Sequence, residues 1–199
     1  KIGDRISVHG GARYQTMSGA ASIPIVDGYV LDASGSGGFG FVAGAAYEMQ
    51  EIALRVAVTY SSAISHTLTG TETTITTGAV PLSIGIATPQ SVNLDFQSGI
   101  AADTLLFGSV RWVEWTAFDI TPPVYLGATS DSLISYSNNV TTYSIGVGRK
   151  FSEEFSGSVV VGYEAAQGAL ATNLAPTDGF YSVQVGGKYS IGMANISGG

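Results

Sequence analysis

Cysteine is absent from this chain, which excludes a disulfide framework and thiolate metal sites. Charge is scarce as well. Asp, Glu, Lys and Arg make up 12% of the 199 residues, where a soluble domain carries roughly 25%, so a fully hydrated surface would be short of charge. The 8 Lys and Arg residues are outnumbered by 15 Asp and Glu and form no cluster. Nucleic acid is thereby removed as a partner, because phosphate recognition requires basic patches. Long apolar runs are missing too: the longest aliphatic stretch is Val159-Val160-Val161 or similar, far below the roughly 18 residues that a membrane-crossing helix needs. The two histidines, His9 and His66, sit in no metal-binding or triad-like spacing. No cofactor, metal or catalytic centre is therefore expected, and the chain does not read as an enzyme.

What is present points elsewhere. Glycine is abundant, with 27 residues, and aromatics reach 10%, while the mean hydropathy is +0.28. A chain that is hydrophobic overall but never continuously so fits a β-structure that crosses a membrane strand by strand. Period-two alternation supports this reading along most of the length. Val92, Leu94 and Phe96 alternate with Asn93, Asp95 and Gln97, and Val110 and Trp112 with Ser109 and Arg111. The same pattern recurs around Val56 and Val58, around Tyr143 and Ile145, around Val159 and Val161, and around Tyr181 and Val183. About eight such segments of roughly 9–12 residues are expected, the length of a tilted membrane strand.

Connection lengths sharpen the prediction. Short turns at Met49-Gln50-Glu51, Ala101-Ala102-Asp103, Ser152-Glu153-Glu154 and Ser190-Ile191-Gly192 alternate with long connections near residues 17–36, 67–88, 118–139 and 167–179. Short turns at one end and long loops at the other are the pattern of a bacterial outer-membrane barrel. Aromatics fall at strand ends, as membrane interfaces favour: Tyr14, Tyr60, Trp112, Tyr143, Tyr163 and Tyr181 near the long loops, and Tyr47, Phe151 and Tyr189 near the short turns. The apolar parity is assigned to lipid and the polar parity to a lumen. That lumen would carry a mixed-sign lining, with Asp95, Arg111, Arg55 and Glu164 among its charges and Arg13, Glu48, Lys150 and Lys188 extending it. Asp95 and Arg111 are equidistant from Asp103, which predicts near cross-strand neighbours within salt-bridge reach.

The glycines of Gly35-Ser36-Gly37-Gly38-Phe39-Gly40 match a dinucleotide-binding spacing, but a polar loop precedes them and a strand follows, which is the wrong context. The long loops hold more apolar content than solvent exposure requires, and such surface marks ligand contact or mutual packing of the loops. Leu82, Ile84, Ile86, Tyr125, Leu126, Ile134 and Tyr136 are the candidate substrate-binding residues.

The stretch Thr88-Pro89-Gln90-Ser91-Val92-Asn93-Leu94, followed by Leu106 to Trp115 and Phe118, resembles the FadL-type outer-membrane transporters of long-chain fatty acids and other hydrophobic compounds. Gly38 through Glu48, Leu54 to Tyr60, and Tyr143 to Gly148 with Phe151 fit the same order. The resemblance implies an all-β, antiparallel transmembrane β-barrel of about fourteen strands with a lumenal hatch. It implies hydrophobic small molecules such as fatty acids, together with outer-membrane lipid, as partners, and the outer membrane of a Gram-negative bacterium as the location. On that likeness, residues 1–199 form a barrel portion without the N-terminal hatch and the C-terminal strands. The alternative is a complete eight-stranded barrel with a structural or adhesive role.

Overall fold

The computed structural model describes residues 3–168, 178–192 and 194–199. Nine strands form one antiparallel sheet: β1 (Ile6–Gln15), β4 (Gly38–Met49), β5 (Leu54–Ser61), β8 (Ser91–Ala101), β9 (Thr104–Val113), β12 (Val140–Lys150), β13 (Phe155–Glu164), β14 (Phe180–Ile191) and β15 (Ala194–Gly198), in that spatial order. A second sheet contains β2 (Ser18–Ile23), β3 (Tyr29–Gly35), β6 (Ile64–Thr74) and β7 (Gly78–Thr88). Between β9 and β12 lie the short pair β10 (Asp119–Ile120) and β11 (Ile134–Ser135) and one helix, α1 (Pro123–Thr129).

Among the described residues the expectation of about eight strands is therefore corrected to fifteen. The expected loops near residues 17–36 and 67–88 are hairpins of the four-stranded sheet, and a ninth long-sheet strand follows Gly192. The connection expected near 167–179 falls largely on residues outside those described. The nine-stranded sheet does not close on itself: β1 pairs with β4 and β15 with β14, and among the described residues neither has a second partner.

Cross-strand registry shows how the alternation is used. One row runs Ile6, Tyr47, Val56, Phe96, Gly108, Ile145, Val161, Val183 across eight strands. The next row on the same face runs Val8, Ala45, Val58, Leu94, Val110, Tyr143, Tyr163, Tyr181. Most of these large side chains are exposed. The row between them belongs to the opposite face and reads Ser7, Ala46, Ala57, Asp95, Ser109, Ser144, Gly162, Ser182. The sheet thus has one continuous apolar face and one of small and polar residues. A soluble monomer rarely exposes an apolar patch of more than a few hundred Å², and this face spans the whole sheet.

Aromatic rings gather at both edges of the apolar face. Toward the long connections, Tyr14 lies 5.0 Å from Phe39, Tyr60 5.6 Å from Phe41, and Tyr163 4.9 Å from Tyr181 between ring centroids. At the short-turn end Phe151 stacks on Phe155 at 5.5 Å, and Phe155 faces Tyr189 across the ladder. The eight steps from Tyr143 to Phe151 advance ~26 Å along the strand at a rise of about 3.3 Å per residue, or ~20 Å along the normal at a barrel tilt of about 40°.

Candidate functional site

The opposite, polar face is organised in rows of short side chains joined by hydrogen bonds. One row reads His9, Gly44, Thr59, Asn93, Arg111, Thr142, Glu164. Within it His9 Nε2 lies 3.4 Å from Thr59 Oγ1, Arg111 Nη1 donates to Asn93 Oδ1 at 3.1 Å, and Thr142 Oγ1 donates to Glu164 Oε2 at 2.5 Å. Gly44 is what lets His9 reach across its neighbouring strand: a Cβ there would stand 2.4 Å from the imidazole and 2.6 Å from the Val58 carbonyl oxygen.

The four sequence-derived charges all lie on this face, but their pairing differs from expectation. Asp95 faces Ser109, and Arg111 faces Asn93. The predicted Asp95–Arg111 salt bridge is therefore not formed. The turn contains two residues, Ala102 and Asp103, so its centre lies between them rather than on Asp103. A bulge between Gly99 and Ala101 then shifts the register once more. The two charges keep the same face and stand two residues apart along the ladder. Arg55 instead pairs with Glu48, Nε to Oε1 at 3.0 Å. Toward the short turns the same face carries a trough of about 680 Å³ floored by Gly148, Ser158 and Gly186 and edged by Leu105, Lys150 and Lys188.

Above the long-connection end lies a separate apolar centre. In β6 the side chains of Ile64, His66, Leu68, Glu72 and Thr74 point inward, while Ser65, Thr67, Thr69 and Thr71 face out. Gly70 permits the ladder to close, since a Cβ at that position would stand 2.0 Å from the Asp32 carbonyl oxygen. Pro81 occupies an outward position on the edge strand β7, where no ladder donor is required. Tyr29, Leu31, Ala33, Leu68, Leu82 and Ile86 form the buried cluster, and Ile84, Phe118, Ile120, Tyr125 and Leu133 pack against it.

A buried carboxylate fastens the two halves of this centre. Glu72 is 1% exposed. Its Oε1 accepts from Tyr29 Oη at 3.1 Å, from Val124 N at 3.0 Å and from Tyr125 N at 3.0 Å, and its Oε2 from Val124 N at 3.2 Å. The side chain thus caps the first turn of α1, satisfying amides that a helix start leaves free. The ring of Tyr125 meets that of Tyr29 edge-on at 5.1 Å. Burial foremost, and then the adjacent Glu72 carboxylate, push the Tyr29 phenol up from its ordinary value. At the lower margin of the sheet, His66 Nδ1 lies 3.2 Å from the Ser36 carbonyl oxygen, and its Nε2 is buried without a hydrogen-bond partner.

Of the seven candidate substrate residues, Leu82, Ile84, Ile86 and Tyr125 come together in this centre. Leu82 and Ile86 are each 4% exposed, so they pack the loop sheet rather than line open surface. Ile134 pairs with Ile120 in the short ribbon, and Tyr136 joins Trp115 and Phe118 in an aromatic trio with centroids 5.0–6.2 Å apart. Leu126 stands apart on α1, 42% exposed. Sequence reasoning passed over Tyr29, Leu31, Ala33, Leu68 and Glu72; the alternation Tyr-Val-Leu-Asp-Ala at 29–33 was the available signal.

No family model and no curated protein matches the chain. Solved structures do. A Pseudomonas aeruginosa FadL homologue aligns over 99% of this chain and 55% of its own, with TM-score 0.71 and 18% identity. The CymD monoaromatic hydrocarbon channel aligns over 99% of this chain and 64% of its own, with TM-score 0.58 and 15% identity. The Pseudomonas putida toluene transporter TodX aligns over 94% and 57%, with TM-score 0.56 and 13% identity. The chain spans a little over half to under two thirds of the length of these proteins. At such identities the likeness is one of fold alone, the antiparallel strand architecture that these three proteins share with this chain.

Proposed function

We propose that the chain forms part of the wall and outer loop layer of a Gram-negative outer-membrane β-barrel of about fourteen strands, and that this barrel passes hydrophobic molecules without chemistry or cofactor. The observation that carries the reading is the nine-stranded sheet with one unbroken apolar face bounded at both ends by aromatic rings. Lipid is the solvent that such a face requires, and the polar rows on its reverse then line a lumen. The similar folds belong to a FadL homologue and to toluene and monoaromatic hydrocarbon channels, which favours fatty acids or other hydrophobic compounds as cargo.

In this reading the loop layer makes the first contact with cargo, through apolar burial worth roughly 25 cal/mol per Å². Leu126, Ile134 and Tyr136 are the contact residues that are not part of the buried cluster, while Leu82, Ile84, Ile86 and Tyr125 support them from below. Leu126→Ser removes exposed apolar surface without opening the core. Losing one aliphatic contact of ~1–3 kcal/mol should lower uptake of labelled toluene by about tenfold in cells bearing the intact protein, with barrel assembly unchanged. Uptake no higher than in cells lacking the protein would end the transport reading. Uptake unaffected by Leu126→Ser would remove α1 from the path.

A further inference from the structure

The distribution of charge along the chain is more uneven than the total suggests. The loop segments 16–37, 62–90, 114–139 and 165–179 contain no Lys or Arg, yet they hold two, one, three and one Asp or Glu respectively. Asp27, Asp32, Asp119 and Asp131 are exposed in this layer. The described basic residues lie instead in the strands of the nine-stranded sheet and at its short-turn end. The part of the loop layer that this chain supplies thus presents carboxylates and apolar surface without a cation.

A second feature points the same way. An ionised carboxylate leaving water needs a cation or a set of free N–H donors to offset its lost hydration. The free amides at the start of α1, Val124 N and Tyr125 N, are already held by the chain's own Glu72 at 3.0 Å each. Other backbone donors here are likewise taken by the layer's own carboxylates, as Thr76 N is by Asp27 Oδ2 at 2.9 Å. What remains open is uncharged: Leu126, with Ile134 and Tyr136 partly exposed, beside the outward hydroxyls of Ser65, Thr67, Thr69 and Thr71. A single-sign field of this kind lowers the local concentration and the on-rate of like-charged ligands.

We infer that the loop layer admits uncharged apolar molecules and discriminates against alkyl carboxylates of the same chain length. This deepens the transport reading above and rests on it. Labelled 1-octanol and octanoate, supplied separately at neutral pH to cells with and without the intact protein, form the test. At an ionic strength of ~0.01 M, where the Debye length is about 30 Å, protein-dependent uptake of octanol should exceed that of octanoate by about tenfold or more, the scale of electrostatic steering. At ~0.15 M, with a Debye length of about 8 Å, the gap should narrow through octanoate alone. Asp32→Asn combined with Asp131→Asn should narrow it in the same way at low salt, since both side chains are exposed and asparagine keeps the local hydrogen bonds. Equal uptake of the two probes at low salt, or a ratio that neither salt nor the double substitution moves, overturns the inference and leaves transport standing. Protein-dependent uptake of neither probe overturns the transport reading, and this inference falls with it.

Discussion

Replacing Glu72 by alanine tests whether one side chain holds α1 onto the loop sheet. The substitution deletes the acceptor for Tyr29 Oη, Val124 N and Tyr125 N together. Each buried donor left unsatisfied costs about 1–3 kcal/mol, but the two amides recover water if α1 lifts away. The penalty is therefore limited by the undocking itself. Only Tyr29, deep in the cluster, keeps the full cost of its orphaned hydroxyl. A local destabilisation of about 3 kcal/mol follows, which is about 100-fold in an opening equilibrium at 1.4 kcal/mol per tenfold. Hydrogen exchange of the intact protein in detergent micelles reads this directly, in the peptide that carries Val124 to Thr129. That peptide should exchange about 100-fold faster in Glu72→Ala, while strands β12 and β13 keep their protection. Glu72→Gln should be intermediate, because its carbonyl oxygen still accepts while the charge assistance is lost. An unchanged α1 in the alanine variant, or equal acceleration throughout the nine-stranded sheet, would show that the carboxylate is not the fastening.

Two further outcomes are expected. Because the buried Tyr29 phenol is held up from its ordinary value by burial and by Glu72, its contribution is fully present below pH about 10, the unfolded phenol value, and is lost above it, where only the unfolded chain ionises. Loop-sheet protection should therefore fall in alkali beyond that point, and Tyr29→Phe should remove this dependence; protection flat with pH in both proteins would refute it. On the nine-stranded sheet, Val161→Arg or Val58→Arg should block outer-membrane assembly, at about 2–4 kcal/mol for a charge facing midplane lipid, whereas Ser158→Arg or Thr59→Arg should assemble. Heat-modifiable mobility of the protein on gels separates the cases, and equal tolerance on both faces would void the face assignment.

The main sheet was legible because its alternation is chemical as well as periodic. Val, Ile, Leu and Tyr on one parity and Ser, Gly, Thr and charged residues on the other leave one register that buries neither set wrongly. The loop sheet was not read from the same signal, although Ile64, His66, Leu68, Glu72 and Thr74 alternate with Ser65, Thr67, Thr69 and Thr71 just as regularly. Two features hid it. Its inward positions include a glutamate, a histidine and a glycine, and its outward positions are threonines, which suit strands through their branched Cβ but read as polar loop by hydropathy. The buried Glu72 makes sense only once α1 brings two amides to it, and α1 is separated from Glu72 by more than fifty residues.

The candidate site divides along the same line. Four of the apolar loop residues, Leu82, Ile84, Ile86 and Tyr125, meet in space, because apolar loop residues must be covered by something. Apolar content could not say which side chains would do the covering. Leu82 and Ile86 are flanked by β3 and β6 neighbours and become interior, whereas Leu126 sits on a short helix whose inner side is already occupied by Tyr125 and the Glu72 cap. The Asp95–Arg111 pair fails for a related reason. Face is set by parity, which survives a two-residue displacement, but contact is set by register, which a two-residue turn and one bulged residue at Ile100 suffice to change. Arg111 then finds Asn93 directly opposite at 3.1 Å, and Asp95 is left facing Ser109 and Ala57. Arg111 and Asp95 are therefore held on one face without neutralising one another, each opposite a small or neutral side chain, whereas Arg55 and Glu48, directly opposite in the ladder, do pair.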